Sequence, residues 1–381
     1  MNTVMLLQPP RIVFGNGCAP QCVDFVVQRG VKRILLVTSK SVRPYLESLV
    51  AALKSARMEV VEGHFVPAEP TVKFFETAVT EARQKQIDSV LAIGGGSVID
   101  VGKLIAALVD GRQKVSEVFG INLLTKRMLP LVCLPTTAGT GAEVSPNAVL
   151  LDETDELKKG IVSPHLVPDA AYVDPLLTVS VPPDVTAATG MDALTHCIEA
   201  YANKFAHPIV DVYALQGIKL ISENLRQAVR DGGDVEARAA VSLGSLYGGL
   251  CLGPVNTAAV HALAYPLGGR FHISHGVSNA LLLPHVLRFN CSAAPERYAE
   301  ISAALGIVSN GSVMTTAEHG VDFLSQLSRD CGVPQKLSQL NVPRDAIPAM
   351  ARSAMSVTRL LKNNLRPLTE ANAEGIYEAA Y

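Results

Sequence analysis

Along the first half of the chain, short apolar runs rich in β-branched residues alternate with stretches whose apolar positions recur every three or four residues. The runs at 33–37, 59–61, 89–93 and 131–134 read as strands, with shorter ones at 148–151 and 171–173. Residues 41–57, 71–86 and 97–108 carry helical periodicity, and Ser41 and Thr71 stand where an N-cap belongs. Alternation of this kind predicts a mostly parallel sheet covered on both faces. From Pro182-Pro183 the pattern changes. Ala- and Leu-rich periodic stretches at 184–203, 208–231, 235–251 and 295–305, and a broken series after Thr315, predict helices without convincing strand runs. The expected fold is an α/β N-terminal domain over residues 1–181 and an all-α C-terminal domain over 182–381. No internal repeat or low-complexity tract interrupts it.

Composition narrows the class. The 381 residues exceed what one small core accommodates, in keeping with two domains. With 48% hydrophobic and 18% charged residues the chain is globular, since disorder needs the opposite balance. The formal net charge is −2 and both signs are interspersed, so neither nucleic acid nor a membrane surface is an expected partner. No window reaches the ~18 uninterrupted apolar residues of a spanning helix. Residues 1–17 lack the basic start and the cleavage site of a signal peptide. The seven cysteines are scattered, and only Cys18 and Cys22 are close, with no second pair to complete a zinc site. Buried thiols in a reducing cytoplasm are the expectation.

Two segments have the chemistry of a phosphate site. The run at 89–93 leads into Gly94-Gly-Gly-Ser97 and then a helix, where glycine admits close backbone approach and the helix start presents N–H groups. Ser97 is placed to cap that helix and to donate to a phosphate. The spacing is neither the dinucleotide fingerprint nor a P-loop, and a tight turn is the plain alternative. The second segment, Leu134-Pro-Thr-Thr-Ala-Gly-Thr-Gly-Ala-Glu-Val-Ser145, is dense in hydroxyls and glycines and also follows an apolar run. Loops at the carboxyl ends of parallel strands are where open α/β sheets bind ligands, so a nucleotide is the better reading of the two together.

The helical half holds a metal-ligating pattern. Asp192 and His196 are four residues apart and share a helical face otherwise built of Ala, Leu and Ile, where a lone carboxylate would be costly. His261 and His275 follow in glycine-flanked segments. One carboxylate and three imidazoles suit Fe2+, Zn2+ or a similar cation. A lone histidine on an apolar helix is ordinarily a packed core residue, and the other histidines are read that way. His272 and His285 flank the site.

Together these segments resemble the iron-containing, or group III, alcohol dehydrogenase family, from Arg11-Ile-Val-Phe-Gly-Asn-Gly17 to Leu365-Arg-Pro-Leu-Thr369. The resemblance rests on Gly94-Gly-Gly-Ser97 with Asp100 and Lys103, Pro135-Thr-Thr-Ala-Gly-Thr140 with Glu143, Gly190-Met-Asp-Ala-Leu-Thr-His196, and His275-Gly-Val-Ser-Asn279 through Leu283-Pro-His285. It implies an α/β nucleotide domain, a helical metal domain, and an active site in the cleft between them. Asp192, His196, His261 and His275 match the family's metal ligands. Gly95, Gly96, Ser97 and Asp100 match the phosphate loop, with Gly96 and Ser97 at the pyrophosphate. Thr136, Thr137 and Thr140 match contacts to phosphates and ribose, and Asn147 and Lys158 residues at the nicotinamide end.

The implied function is reversible hydride transfer between NAD or NADP and a small alcohol or aldehyde, in a homodimer or higher homo-oligomer. Two departures stand out. Many NAD-preferring relatives carry an acidic residue where this chain has Ser39, and Lys40 or Arg43 could partner a 2′-phosphate. Several relatives have a proton-relaying histidine four residues after the third ligand, where this chain has Tyr265. Helical spacing puts Tyr265 on the metal side, although Pro266 is expected to end the helix there. Alternatives are a maleylacetate-reductase-like, glycerol-dehydrogenase-like or dehydroquinate-synthase-like member of the same superfold, or a non-catalytic nucleotide-binding protein.

Overall fold

Nine strands occur among the residues that the computed structural model describes, 3–154, 157–308 and 311–381. They are β1 (Arg11–Phe14), β2 (Arg33–Thr38), β3 (Glu59–Glu62), β4 (Ser89–Gly94), β5 (Gly120–Ile121), β6 (Leu131–Pro135), β7 (Asn147–Asp152), β8 (Leu157–Val162) and β9 (Ala170–Val173). Six of them form an all-parallel sheet in the order β1-β9-β6-β4-β2-β3. The strands are continuous apolar runs because both faces are covered. Leu35, Val37, Val90 and Ala92 pack into one core, and Ile34, Leu36, Leu91 and Ile93 into the other. Helices α1 (Cys22–Gln28) and α2 (Glu47–Ser55) lie on the second face, and α3 (Val72–Gln84) and α4 (Gly96–Leu108) on the first. Gly102 lets α4 lie close to the sheet, since a Cβ there would sit 2.6 Å from the Ala92 Cβ. A smaller sheet pairs β8 with β5 in parallel and with β7 antiparallel.

The remaining helices are α5 (Pro183–Tyr201), α6 (Pro208–Arg230), α7 (Val235–Leu252), α8 (Ala259–Phe271), α9 (His275–Asn290), α10 (Pro295–Ala304), α11 (Val313–Asp330), α12 (Ile347–Met355), α13 (Thr358–Leu361) and α14 (Glu370–Ala379). They make a bundle around one core, with α5 at its centre. From Gly190 to Tyr201 every residue of α5 is buried, as expected of a helix surrounded by α6, α7 and α9. The chain forms two compact units. One comprises Leu7–Thr137 and Gly141–Val179, the other Ala138–Thr140 and Ser180–Tyr381 with the N-terminal segment up to Leu6. A single cut at 181/182 therefore misses that Ala138–Thr140, inside the hydroxyl-rich segment, belongs with the helices.

Three local expectations are corrected. Thr71 caps α3, accepting from the Phe74 N–H at 3.1 Å, but Ser41 caps nothing. Its Oγ lies 3.1 Å from the Ser39 Oγ, and the helix begins at Glu47 after a 3-10 turn. Ser97 does not cap α4 either. The N-cap is extended Gly95, and the Ser97 hydroxyl, one step inside the helix, donates to Ala68 O at 2.6 Å. Pro266 does not end its helix: α8 continues to Phe271, and α9 likewise contains Pro284. No helix among the described residues is long and apolar enough to cross a membrane, and all seven cysteines are buried and free.

Candidate metal centre and nucleotide-binding loops

In the α/β unit, sheet order brings the candidate cofactor residues together. β2, β4 and β6 are adjacent and parallel, so Ser39, Gly95–Ser97 and Thr136–Thr137 follow the same ends of three neighbouring strands. At ~4.8 Å per strand the three loops fall within ~10 Å of one another. From β2 the chain steps out to β3 and returns across β2 to β4, a change of direction of the kind that opens a ligand crevice in such sheets. The Thr136 N–H donates to Gly94 O at 3.0 Å, holding the second loop beside the first. A Cβ on Gly95 would stand 3.5 Å from Thr137 Oγ1, so the missing side chain leaves room between the two loops. The first N–H groups of α4 have no intrahelical partners, so the chemistry there fits a pyrophosphate.

The other matched residues are placed less uniformly. Asp100 accepts from the Val149 N–H at 3.0 Å and so binds α4 to β7. Lys103 is fully buried, and its Nζ donates to Ser145 O and Asn147 O at 2.8 Å each. Burial pushes Lys103 down, Asp100 up to about 6 and Glu143 up to about 7, with the ammonium partly offsetting both carboxyl shifts. Asp100 and Lys103 brace the segment that carries Asn147, whose Oδ1 is buried without a partner. Lys158 is paired with Glu69 at 2.8 Å and stands opposite Leu151 on the β7–β8 ladder, four steps (~13 Å) from Asn147. Asn147 and Lys158 therefore do not converge on one point. Arg43 is also engaged, with Glu62 at 2.6 Å and Glu47 at 2.7 Å.

In the helical unit, the ligand atoms of Asp192, His261 and His275 lie within 4.8 Å of one another. Asp192 Oδ1 is the hub. It stands 3.5 Å from His261 Nε2, 3.8 Å from His275 Nε2 and 3.9 Å from His196 Nε2. The rings of His196 and His261 stack at 4.7 Å between centroids, so His196 flanks the tighter group of three. Asn279, one turn after His275 on α9, donates to Asp192 Oδ1 at 2.6 Å. Gly276 seats α9 against α5: a Cβ there would fall 2.4 Å from Ala188 O. The ring of Tyr265 is 6.3 Å from that of His275, and its hydroxyl accepts from Arg359 at 3.4 Å. His272 is exposed in the left-handed conformation at the end of α8 and, like His285, lies outside the group.

One buried side chain in contact with this group escaped the sequence reading. Glu199, 4% exposed, sits on the same face of α5 as Asp192 and His196. It accepts from His261 Nδ1 and the Val260 N–H at 2.6 Å each, and from the Ala258 N–H at 3.0 Å. The signal was present, since Glu199 follows His196 by three residues on an apolar face, but its partner lies 62 residues away.

The donor set fits a divalent cation. His261 Nε2 is buried, has no hydrogen-bond partner and faces the carboxylate, so a cation that displaces its proton would find a ligand atom there. Ligands ~2.1 Å from a tetrahedral centre stand ~3.4 Å apart, close to the separations around Asp192 Oδ1. His196 Nδ1 faces Gly139 O at 3.3 Å, and a carbonyl only accepts, so the proton sits on Nδ1 and Nε2 is left to ligate. The charges agree. Burial favours a neutral Asp192, yet His196, His275 and His261 hold it well below the usual carboxylate range. Burial lowers His196. It also lowers His261, but Asp192 and Glu199 outweigh burial and raise that imidazole to about 9. Two buried carboxylates thus demand positive charge here, which a cation supplies without a proton.

Known proteins match over the whole chain. Residues 9–175 match the model of iron-containing alcohol dehydrogenases, and residues 186–381 that of the C-terminal part of the Fe-containing alcohol dehydrogenase family. Long-chain-alcohol dehydrogenase 1 of Geobacillus thermodenitrificans is 39% identical over 100% of this chain and 98% of its own. The 1,3-propanediol dehydrogenase of Klebsiella pneumoniae is 37% identical over 96% and 97%. The crystal structure of a 1,3-propanediol oxidoreductase superposes with a TM-score of 0.96, at 36% identity and with 100% of both chains covered.

Proposed function

Because the chain belongs to the iron-containing alcohol dehydrogenase family and is an NAD(P)-linked alcohol/aldehyde oxidoreductase, we propose that it binds one Fe2+ or Zn2+ at Asp192, His196, His261 and His275. The observation that carries this is the convergence of three Nε2 atoms on one buried carboxylate oxygen, one of them unpartnered. When bound, the cation supplies Lewis acidity at the substrate oxygen. The protein's part is placement. Gly95, Gly96 and Ser97 admit the pyrophosphate, Thr136, Thr137 and Thr140 offer hydroxyls to phosphate and ribose, and Asp100 with Lys103 holds the Asn147 segment for the nicotinamide end. Lys158, held by Glu69 about 13 Å along the ladder from Asn147, does not share that end. The substrate class is a small alcohol or aldehyde. The buried, free cysteines support a reducing, cytoplasmic setting.

Cofactor choice turns on Ser39. With Arg43 held by Glu62 and Glu47, a 2′-phosphate would meet the Ser39 and Ser41 hydroxyls and exposed Lys40, with no acidic side chain at position 39 to repel it. An anaerobic screen of small alcohols and aldehydes after Fe2+ or Zn2+ reconstitution, run with both cofactors, tests the whole reading. In it the wild type should turn over with NADPH. Ser39→Asp should shift the NADH-to-NADPH ratio of kcat/KM toward NADH by ~10-fold or more, since ~1.4 kcal/mol of repulsion suffices for that. An unchanged ratio would remove position 39 from the 2′ group, and no turnover under any condition would overturn the enzymatic reading.

Tyr265 is the proton-handling group in this reading. Its support is the Arg359 guanidinium on the phenol oxygen and the neighbouring ring of His275. Tyr265→Phe should lower kcat by ~10²-fold with KM little changed, the size expected of a general acid or base. A change confined to KM would make Tyr265 a wall of the pocket.

A further inference from the structure

Glu199 is buried, charged and absent from the ligand set, yet it touches both the ligand His261 and the start of the helix that carries it. We propose that Glu199 is the positioning residue of the metal centre: it keeps the proton of His261 on Nδ1, so that Nε2 faces the cation as a lone pair, and it ties α8 to α5. This rests on the reading of Asp192, His196, His261 and His275 as ligands.

The hydrogen-bond accounting is specific. An ionised carboxylate only accepts, and three donors converge on this one: His261 Nδ1–H, the Val260 N–H and the Ala258 N–H. With the proton so held, the unpartnered atom is Nε2, the one 3.5 Å from Asp192 Oδ1. Gly139 O does the same for His196, but as a neutral carbonyl at 3.3 Å. A carboxylate at 2.6 Å makes its imidazole a stronger donor and adds a negative charge close to the cation. Because Asp192, His196 and Glu199 all belong to α5, one rigid helix supplies two ligands and the orientation of a third.

Glutamine cannot replace this group. With its amide NH2 toward His261, a glutamine in Glu199→Gln would also face the Ala258 N–H, and the imidazole could pair only by moving its proton to Nε2, the ligating atom. With the amide reversed, the NH2 would meet the Val260 N–H, which lies 2.6 Å from Glu199 Oε1. Either way a donor faces a donor, or the ligand's lone pair is lost.

The test is metal affinity and imidazole tautomer, read without turnover. The full-length protein is stripped with chelator and titrated with Zn2+ and Co2+, for wild type, Glu199→Gln and His261→Ala. Glu199→Gln should bind 10–100-fold more weakly than wild type, the usual cost of losing a metal ligand's hydrogen-bond partner. His261→Ala should lose stoichiometric binding. 15N-histidine NMR of the Zn2+-loaded wild type should show His261 protonated at Nδ1. A Glu199→Gln affinity within about twofold of wild type, with only its melting temperature lowered, would make Glu199 a helix cap and overturn the proposal. A wild-type His261 protonated at Nε2 would overturn it without any variant. Wild type that takes up no metal, like His261→Ala, would overturn the metal reading beneath it.

Discussion

His261→Ala should leave a folded protein that holds no stoichiometric metal and turns over at least ~10³-fold more slowly. Lewis-acid stabilisation of a developing alkoxide is worth several kcal/mol, and each ~1.4 kcal/mol is a factor of ten. The position is chosen because His261 Nε2 is the unpartnered atom of the group and lies nearest Asp192 Oδ1. Its removal also leaves Glu199 with one buried acceptor position unfilled, so a modest loss of stability accompanies the loss of metal. His196→Ala should have a graded effect in the same direction, because His196 flanks the tighter group formed by Asp192, His261 and His275. Metal analysis after dialysis and single-turnover rates check both variants. Normal metal content in His261→Ala would refute the ligand set.

Gly276→Ala should be as damaging although it removes no ligand. The added Cβ would fall 2.4 Å from Ala188 O and 2.7 Å from its carbonyl carbon, both backbone atoms of α5 that no rotamer change can move. The start of α9 must then back away from α5, carrying His275 from Asp192 and Asn279 from the carboxylate it donates to. Overpacking of this kind costs ~1–3 kcal/mol, and more where backbone must shift. The expected result is a lowered unfolding midpoint together with metal affinity reduced ~10-fold or more, as when a site's supporting contacts are lost. Wild-type stability and affinity in Gly276→Ala would show that close packing at this glycine does not seat His275.

The elements whose signal is local were legible in the sequence. Alternating burial on two covered faces makes β2, β4 and β6 continuous apolar runs, and their period does not depend on what packs against them. Thr71 could be read as a cap because the hydrogen bond it accepts lies three residues away. The Asp192–His196 pair was visible for the same reason, since one turn of helix sets its spacing. Where a helix begins or ends was harder. Ser41 and Ser97 have the right chemistry for caps, but the backbone starts one helix after a 3-10 turn and the other at Gly95, and each serine finds another partner. Pro266 costs its helix a hydrogen bond, locally worth about 3 kcal/mol, and burial of α8 among its neighbours overrides that cost.

What only the tertiary structure decided is everything that joins distant parts of the chain. Sheet order, set by crossovers rather than by composition, lines up the loops at Ser39, Gly95 and Thr136. Lys103 belongs to a recognisable motif, but its partners, Ser145 O and Asn147 O, are 42 and 44 residues away and are met only in the fold. Glu199 looks like any helix acid until α8 places His261 on it, because a hydrogen bond across 62 residues has no period to betray it. Local hydrogen bonding and apolar spacing write helices and strands into the sequence. Which buried charge meets which partner is settled only when the helices pack, since an unpaired charge cannot remain in a dry core.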